Sequence, residues 1–147
     1  NKFKSLVLKE LKSNTKSKSK ASTLSKMSNV KIKAKAKRYY DKKNYTKSIK
    51  YYEHLISKNY EPARGYYMLG EIHYYRKKYE DAIAYFKKSA SLYSKASYMP
   101  VLMLHTAISM DELGDTSNAK KFYSAVIAKY SKGASAKIAR KKIQKIQ

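Results

Sequence analysis

The chain contains no cysteine and no tryptophan, only two prolines and four glycines, and 10 acidic residues against 34 basic ones. Without cysteine there is no disulfide, thiolate nucleophile or thiolate metal site, and the redox compartment cannot be read from the sequence. No apolar run approaches the roughly 20 residues needed to span a bilayer. No window shows sustained strand alternation. The glycines, Gly65, Gly70, Gly114 and Gly133, are isolated, and no GxxxxGK[ST] phosphate loop occurs. His54, His73 and His105 fall in separate helical segments without metal-ligand spacing. The acidic pairs Glu80-Asp81 and Asp111-Glu112 are sequence neighbours, which do not face one another on a helix. Both lie near inter-helix turns, where a helix-end charge or simple solvation accounts for them. The sequence therefore predicts no enzyme, no cofactor and no metal site.

Lysine and tyrosine are what the chain has in excess. The net charge is +24, yet only Arg38, Arg64, Arg76 and Arg140 are arginines. A dedicated nucleic-acid surface draws on Arg for bidentate contacts, so no specific nucleic-acid partner is expected. The charge is concentrated at the ends: net +12 over residues 1–40, +9 over 116–147 and +3 between them. Two readings stay open. One is a solvated Lys-rich surface set by composition; the other is a pair of cationic ends that hold an anionic polymer or membrane surface with strong salt dependence.

Residues 1–12 place Phe3, Leu6, Val7 and Leu11 on one helical face, a short amphipathic helix or the end of an upstream coiled coil through which the chain would form a homo-oligomer. Residues 13–28 are Ser, Thr and Lys with little to bury, and read as a flexible linker. The chain starts at Asn1 with no visible signal peptide, which suggests a processed or excised fragment. From about residue 29 the 3.6-residue periodicity is continuous. It predicts helices over Val30–Tyr40, Tyr45–Ser57, a hairpin within Tyr66–Tyr93, then Tyr98–Leu113, Thr116–Tyr130 and Ala134–Gln147. Glu61 or Asn59 stands where a cap is needed, with Pro62 in the first turn behind it.

Shifting the first hairpin by 34 places Tyr45 on Tyr79, Ser48 on Ala82, Ile49 on Ile83 and Tyr52 on Phe86, with Lys42-Lys43 on Arg76-Lys77. A further shift of 37 places Gly70 on Ala107, Ala82 on Ala119, Phe86 on Tyr123 and Tyr93-Ser94 on Tyr130-Ser131. Three copies are the usual minimum for a stable stack. Gly70 and Ala82 are small where two antiparallel helices must approach closely. Most of the 16 tyrosines fall on packing positions, but one of each doublet, Tyr39-Tyr40, Tyr66-Tyr67 and Tyr74-Tyr75, should emerge on a surface.

Tyr66, Leu69-Gly70, Ala82 and Phe86 stand at the spacing of the tetratricopeptide repeat, which the segment resembles. It departs in Ser48 for the usual Ala, Thr106-Ala107 for Leu-Gly, and Ser94 and Ser131 where Pro often closes a repeat. The resemblance implies an all-α, right-handed superhelical stack of three helical hairpins, about 29–58, 62–94 and 99–131, with a capping helix over 134–147. It also implies a concave face, lined by the first helix of each hairpin, showing Lys33, Lys37, Tyr40, Arg64, Tyr67, Glu71, Tyr74, Leu104, Ile108 and Asp111 to a protein or peptide partner. The alternative is that the final helix or the linker fills some of these positions. Met68, Lys37 and Val101 stand where relatives carry a polar carboxylate clamp, so capture of a terminal carboxylate is not expected.

The last segment is similar more narrowly to the C-terminal end of the Tol-Pal-associated periplasmic cell-division coordinator family. Leu113-Gly114-Asp115, Ala119, Val126-Ile127, Tyr130 and Ala136-Lys137-x-Ala139 carry the likeness, and Ser131 departs from the usual Pro. This implies a periplasmic scaffold whose partner belongs to the Tol-Pal or peptidoglycan-synthesis machinery. Outer-membrane assembly and lipoprotein-handling scaffolds share the motif set and remain the alternative.

Overall fold

The computed structural model describes residues 23–146. The expected helix over 1–12, and the linker as far as residue 22, lie outside the described residues. Seven long helices follow one another: α1 (Asn29–Asp41), α2 (Tyr45–Ser57), α3 (Pro62–Tyr75), α4 (Tyr79–Leu92), α5 (Met99–Glu112), α6 (Thr116–Lys129) and α7 (Ala134–Ile146). They pair as α1–α2, α3–α4 and α5–α6, three hairpins stacked in order, with α7 packed on α6 and α5. No strand occurs among the described residues.

Local chemistry sets the helix starts. Ser28 accepts the Lys31 amide at 3.2 Å, Asn44 that of Lys47 at 3.5 Å and Asp115 that of Asn118 at 3.4 Å. Pro62 and Pro100 sit in first turns, where a missing N–H costs nothing. The cap expected from Glu61 or Asn59 is not made by a side chain. Both residues adopt left-handed backbone, φ 44° and 54°, and the Glu61 carboxylate turns instead to Lys33 at 2.9 Å.

The three hairpins turn in the same way. Asn44 N–H donates to Tyr39 O at 2.8 Å, Lys78 to His73 at 2.8 Å and Asp115 to Met110 at 2.9 Å, the six-to-one bond that closes a helix through a left-handed residue. That residue is Lys43 (φ 62°), Lys77 (φ 62°) and Gly114 (φ 84°).

Packing repeats with the sequence. Ala36, Gly70 and Ala107 are equivalent and buried on the first helices; Ser48, Ala82 and Ala119 are buried on the second. A Cβ on Gly70 would come 2.5 Å from the Phe86 ring, so this position admits no larger side chain without displacing the ring. Ser48, the departure from alanine, donates to Ala36 O at 2.9 Å, which satisfies its buried hydroxyl. Thr106 does the same with Leu102 O at 2.7 Å. Tyr52, Phe86 and Tyr123 form the recurrent aromatic core, each essentially inaccessible.

One boundary and one pair of side chains differ from expectation. The linker does not run to residue 28: residues 23–26 form a helical turn, and Leu24 is buried with Met27 beside it against the first hairpin. An apolar pair three residues apart is enough to seat even a Ser/Lys-rich stretch. The second is the Tyr66-Tyr67 doublet, of which neither member emerges; both are 8% exposed. Tyr66 packs parallel to Tyr85 of α4, while Tyr67 packs toward α5, so two neighbours on one helix are covered by two different helices.

Candidate functional site

The first helices of the hairpins, α1, α3 and α5, were expected to display one continuous face. On α3 that face is largely consumed. Tyr67 stacks on Tyr98 with centroids 4.1 Å apart and planes 8° from parallel, and Tyr74 stacks on His105 at 4.0 Å and 7°. Between these rungs lies Glu71, 4% exposed, which accepts the Tyr67 hydroxyl at 3.0 Å on one carboxylate oxygen and meets His105 Nδ1 with the other. Burial first, and then the Glu71 charge, push the Tyr67 phenol far above its usual range, so it stays a donor to that carboxylate. Tyr74 is pushed up to about 12, by burial first and then by Tyr75 and Glu71.

Tyr67 and Glu71 are therefore the seam between α3 and α5, and not free contact points. Leu104 and Ile108 are also withdrawn. They belong to the second core cluster, with Val126 of α6 and Ala136 and Ala139 of α7, so the final helix covers the far end of the face, as the alternative reading had it. Asp111 is half-buried and accepts the Tyr123 hydroxyl at 3.3 Å. At the near end Lys33 pairs with Glu61 and Lys37 with Asp41, while Arg64 lies over the Tyr98 ring at 5.6 Å. The expected cationic start is thus internally compensated.

What stays open lies at the turn edge of the first two hairpins. Tyr40 at the end of α1, Tyr45 at the start of α2 and Tyr75 at the end of α3 line a cleft of about 430 Å³ with Asp41 and Lys43. Tyr40 and Tyr45 are tilted at 53° with centroids 6.0 Å apart, and Tyr75 is 52% exposed. Arg76 lies over the outer part of this group, 5.5 Å from the Tyr45 centroid and 3.5 Å from Thr46 Oγ1. Of the predicted face only Tyr40 lines this opening. Tyr45 and Lys43 were missed, whereas Tyr75 is the member of the Tyr74-Tyr75 doublet that emerges. The signal was present as a tyrosine before and after each short turn, Tyr40 and Tyr45, then Tyr75 and Tyr79.

A second cleft, about 650 Å³, opens at the other end of α3 between Pro62, Arg64 and the 93–98 loop, with Leu92 and Tyr93 on its lip. Among the described residues no group of three His, Asp or Glu side chains is placed to hold a metal ion, and no helix is long and apolar enough to cross a membrane.

Residues 33–97 and residues 102–133, together about two thirds of the chain, each match a family model described as the tetratricopeptide repeat. Among solved structures the Arabidopsis OM64 TPR domain is similar, with a TM-score of 0.69 at 18% identity, over 80% of this chain and 94% of that one. At that identity the likeness speaks for the fold alone. No curated protein matches the chain significantly.

Proposed function

Since the chain belongs to the tetratricopeptide repeat family, whose members are typically protein-binding scaffolds, we propose that it is a non-catalytic scaffold of the bacterial cell envelope that holds a protein partner on the side of its first helices. The observation that carries the reading is the open aromatic cleft at Tyr40, Tyr45 and Tyr75, because rigid aromatic side chains left half-exposed at the junction of two repeats are low-entropy anchors for a partner. The likeness of residues 113–139 to the Tol-Pal-associated coordinators supports a periplasmic location and a partner in the Tol-Pal or peptidoglycan-synthesis machinery.

Site-specific photocrosslinking in the native cell tests this. A benzophenone amino acid in place of Tyr75 should give a defined protein adduct, and the same probe in place of Ile138, on the outer side of α7, should not. Adducts at neither position, or equally at both, sink the scaffold reading. Mass spectrometry of the adduct and cell fractionation then address the finer reading: a Tol-Pal or peptidoglycan-synthesis protein in the periplasm supports it, and an outer-membrane assembly or lipoprotein-handling component replaces it.

One observation favours a second reading. Residues 116–147 hold nine basic residues and no acidic one, and α7 turns Lys137, Arg140, Lys141 and Lys145 outward. An end of that kind suits an anionic polymer or membrane surface. Salt-dependent sedimentation with phosphatidylglycerol vesicles, abolished by charge reversal on α7, is the expected result if it serves as an electrostatic adaptor.

A further inference from the structure

The charges around the turn-edge cleft do not balance, and the imbalance names a partner chemistry. The two carboxylates nearby are already engaged: Asp41 with Lys37, and Glu71 with Tyr67 and His105. Lys43 on the lip and Lys77, next to Arg76, have no ion-pair partner among the described residues. Arg76 is held over the Tyr45 ring, close to the opening. Three phenolic rings thus surround a concave space whose lip carries the unpaired Lys43, with Arg76 over the Tyr45 ring and Lys77 following it in the next turn.

The backbone adds an independent observation. Lys43 and Lys77 occupy the left-handed turn position at which the third hairpin carries Gly114. A side chain there is strained, and strain of this kind clusters where the side chain is used.

We propose that the turn edge of the first two hairpins is a docking site for an acidic peptide segment, an aromatic or large aliphatic side chain seated among Tyr40, Tyr45 and Tyr75 and flanking Asp or Glu residues paired with Lys43, Lys77 and Arg76. The proposal rests on the scaffold reading above and specifies its partner. The cleft is an open recess of about 430 Å³, with room for a side chain, whereas a membrane surface or a polynucleotide backbone needs no such recess. Burial, with Glu71 adding to it, raises the Tyr40 and Tyr75 phenols, so both remain hydroxyl donors toward a carboxylate.

The test uses a fluorescein-labelled peptide with one Phe flanked by Asp and Glu, read by anisotropy at low and high salt. Tyr75→Ala, at an exposed position, should weaken binding about tenfold. The Lys43→Gly, Lys77→Gly double variant should weaken it by a similar factor and flatten the salt dependence. Because glycine relieves the turns, that loss cannot be put down to unfolding, and a melt of the same sample verifies it. Unchanged affinity in the double variant, or equal binding of a peptide flanked by Lys, overturns the proposal. So does binding confined to phosphatidylglycerol vesicles or single-stranded DNA. If the acidic peptide fails while the Tyr75 photoadduct still forms, the acidic-partner proposal falls and the scaffold reading stands; if neither is seen, both fall.

Discussion

Toward α5, helix α3 offers Tyr67, Glu71 and Tyr74, and each finds its place: two stacked rungs with a bonded carboxylate between them. Toward α1 the same helix offers Tyr75, and the two helices barely touch, leaving a cleft whose floor and walls are tyrosine rings. Both junctions join neighbouring hairpins of one stack. The difference comes from the facing residues: α5 presents a flat imidazole, His105, beside α3, whereas α1 presents Lys33 and Lys37, which turn to Glu61 and Asp41. A repeat fold thus keeps its architecture while one junction is spent on cohesion and the other is left for contact.

The closed junction is the one whose disruption costs most. Glu71→Ala strands the Tyr67 hydroxyl and the His105 ring in a buried setting, and should lower stability by about 3 kcal/mol in urea unfolding. Tyr75→Ala at the open junction should change it by less than about 0.5 kcal/mol. Equal losses would erase the distinction between the two.

The remaining flank of α3 supplies a control. His73 stacks on Tyr85 of α4 at 5.0 Å, and burial holds its imidazole down to about 4, below the ordinary 6.5. The fold accepts the neutral ring, so this contribution is complete above about pH 6.5 and is lost as the pH falls toward about 4, by roughly 2 kcal/mol. His73→Phe keeps the stack and should remove most of that acid sensitivity, seen by comparing melts at about pH 7 and about pH 4.5. The loss belongs to the α3–α4 hairpin and to neither junction.

Smaller effects than those of Glu71 and His73 belong to the turns. Lys43→Gly and Lys77→Gly should each raise stability by up to about 1 kcal/mol, and Gly114→Lys should lower it by a similar amount. Thermal melts resolve the sign. A loss on Lys43→Gly would mean that its side chain holds the fold together, against the role assigned to it.

The stack itself was legible because its determinants are local and recurrent. Small residues at Gly70 and Ala82 and aromatics at Tyr52, Phe86 and Tyr123 repeat at fixed offsets, and periodicity assigns them to facing helix sides. The face was only half legible. Periodicity tells which way Tyr67 and Glu71 point, but not how closely α5 comes to meet them, and that depends on Tyr98 and His105 more than 30 residues downstream. The fate of Leu104 and Ile108 depended likewise on where α7 lands. Tyr45 escaped notice, and Tyr75 was legible only as one of a doublet, because both sit at helix ends, beside turns, where the periodic pattern stops carrying information.

The landing of α7 bears on how the molecule comes apart. In a nearly one-dimensional stack, local opening starts at whichever end has the least to lose. Ala136 and Ala139, with Ile143 and Ile146 beside them, lie against the core of the last hairpin, and so act as a bolt on that end. Amide exchange in α5 and α6 would then report the release of this helix, and a protease that cuts at Gly133 would convert a sealed end of the stack into a point of fraying.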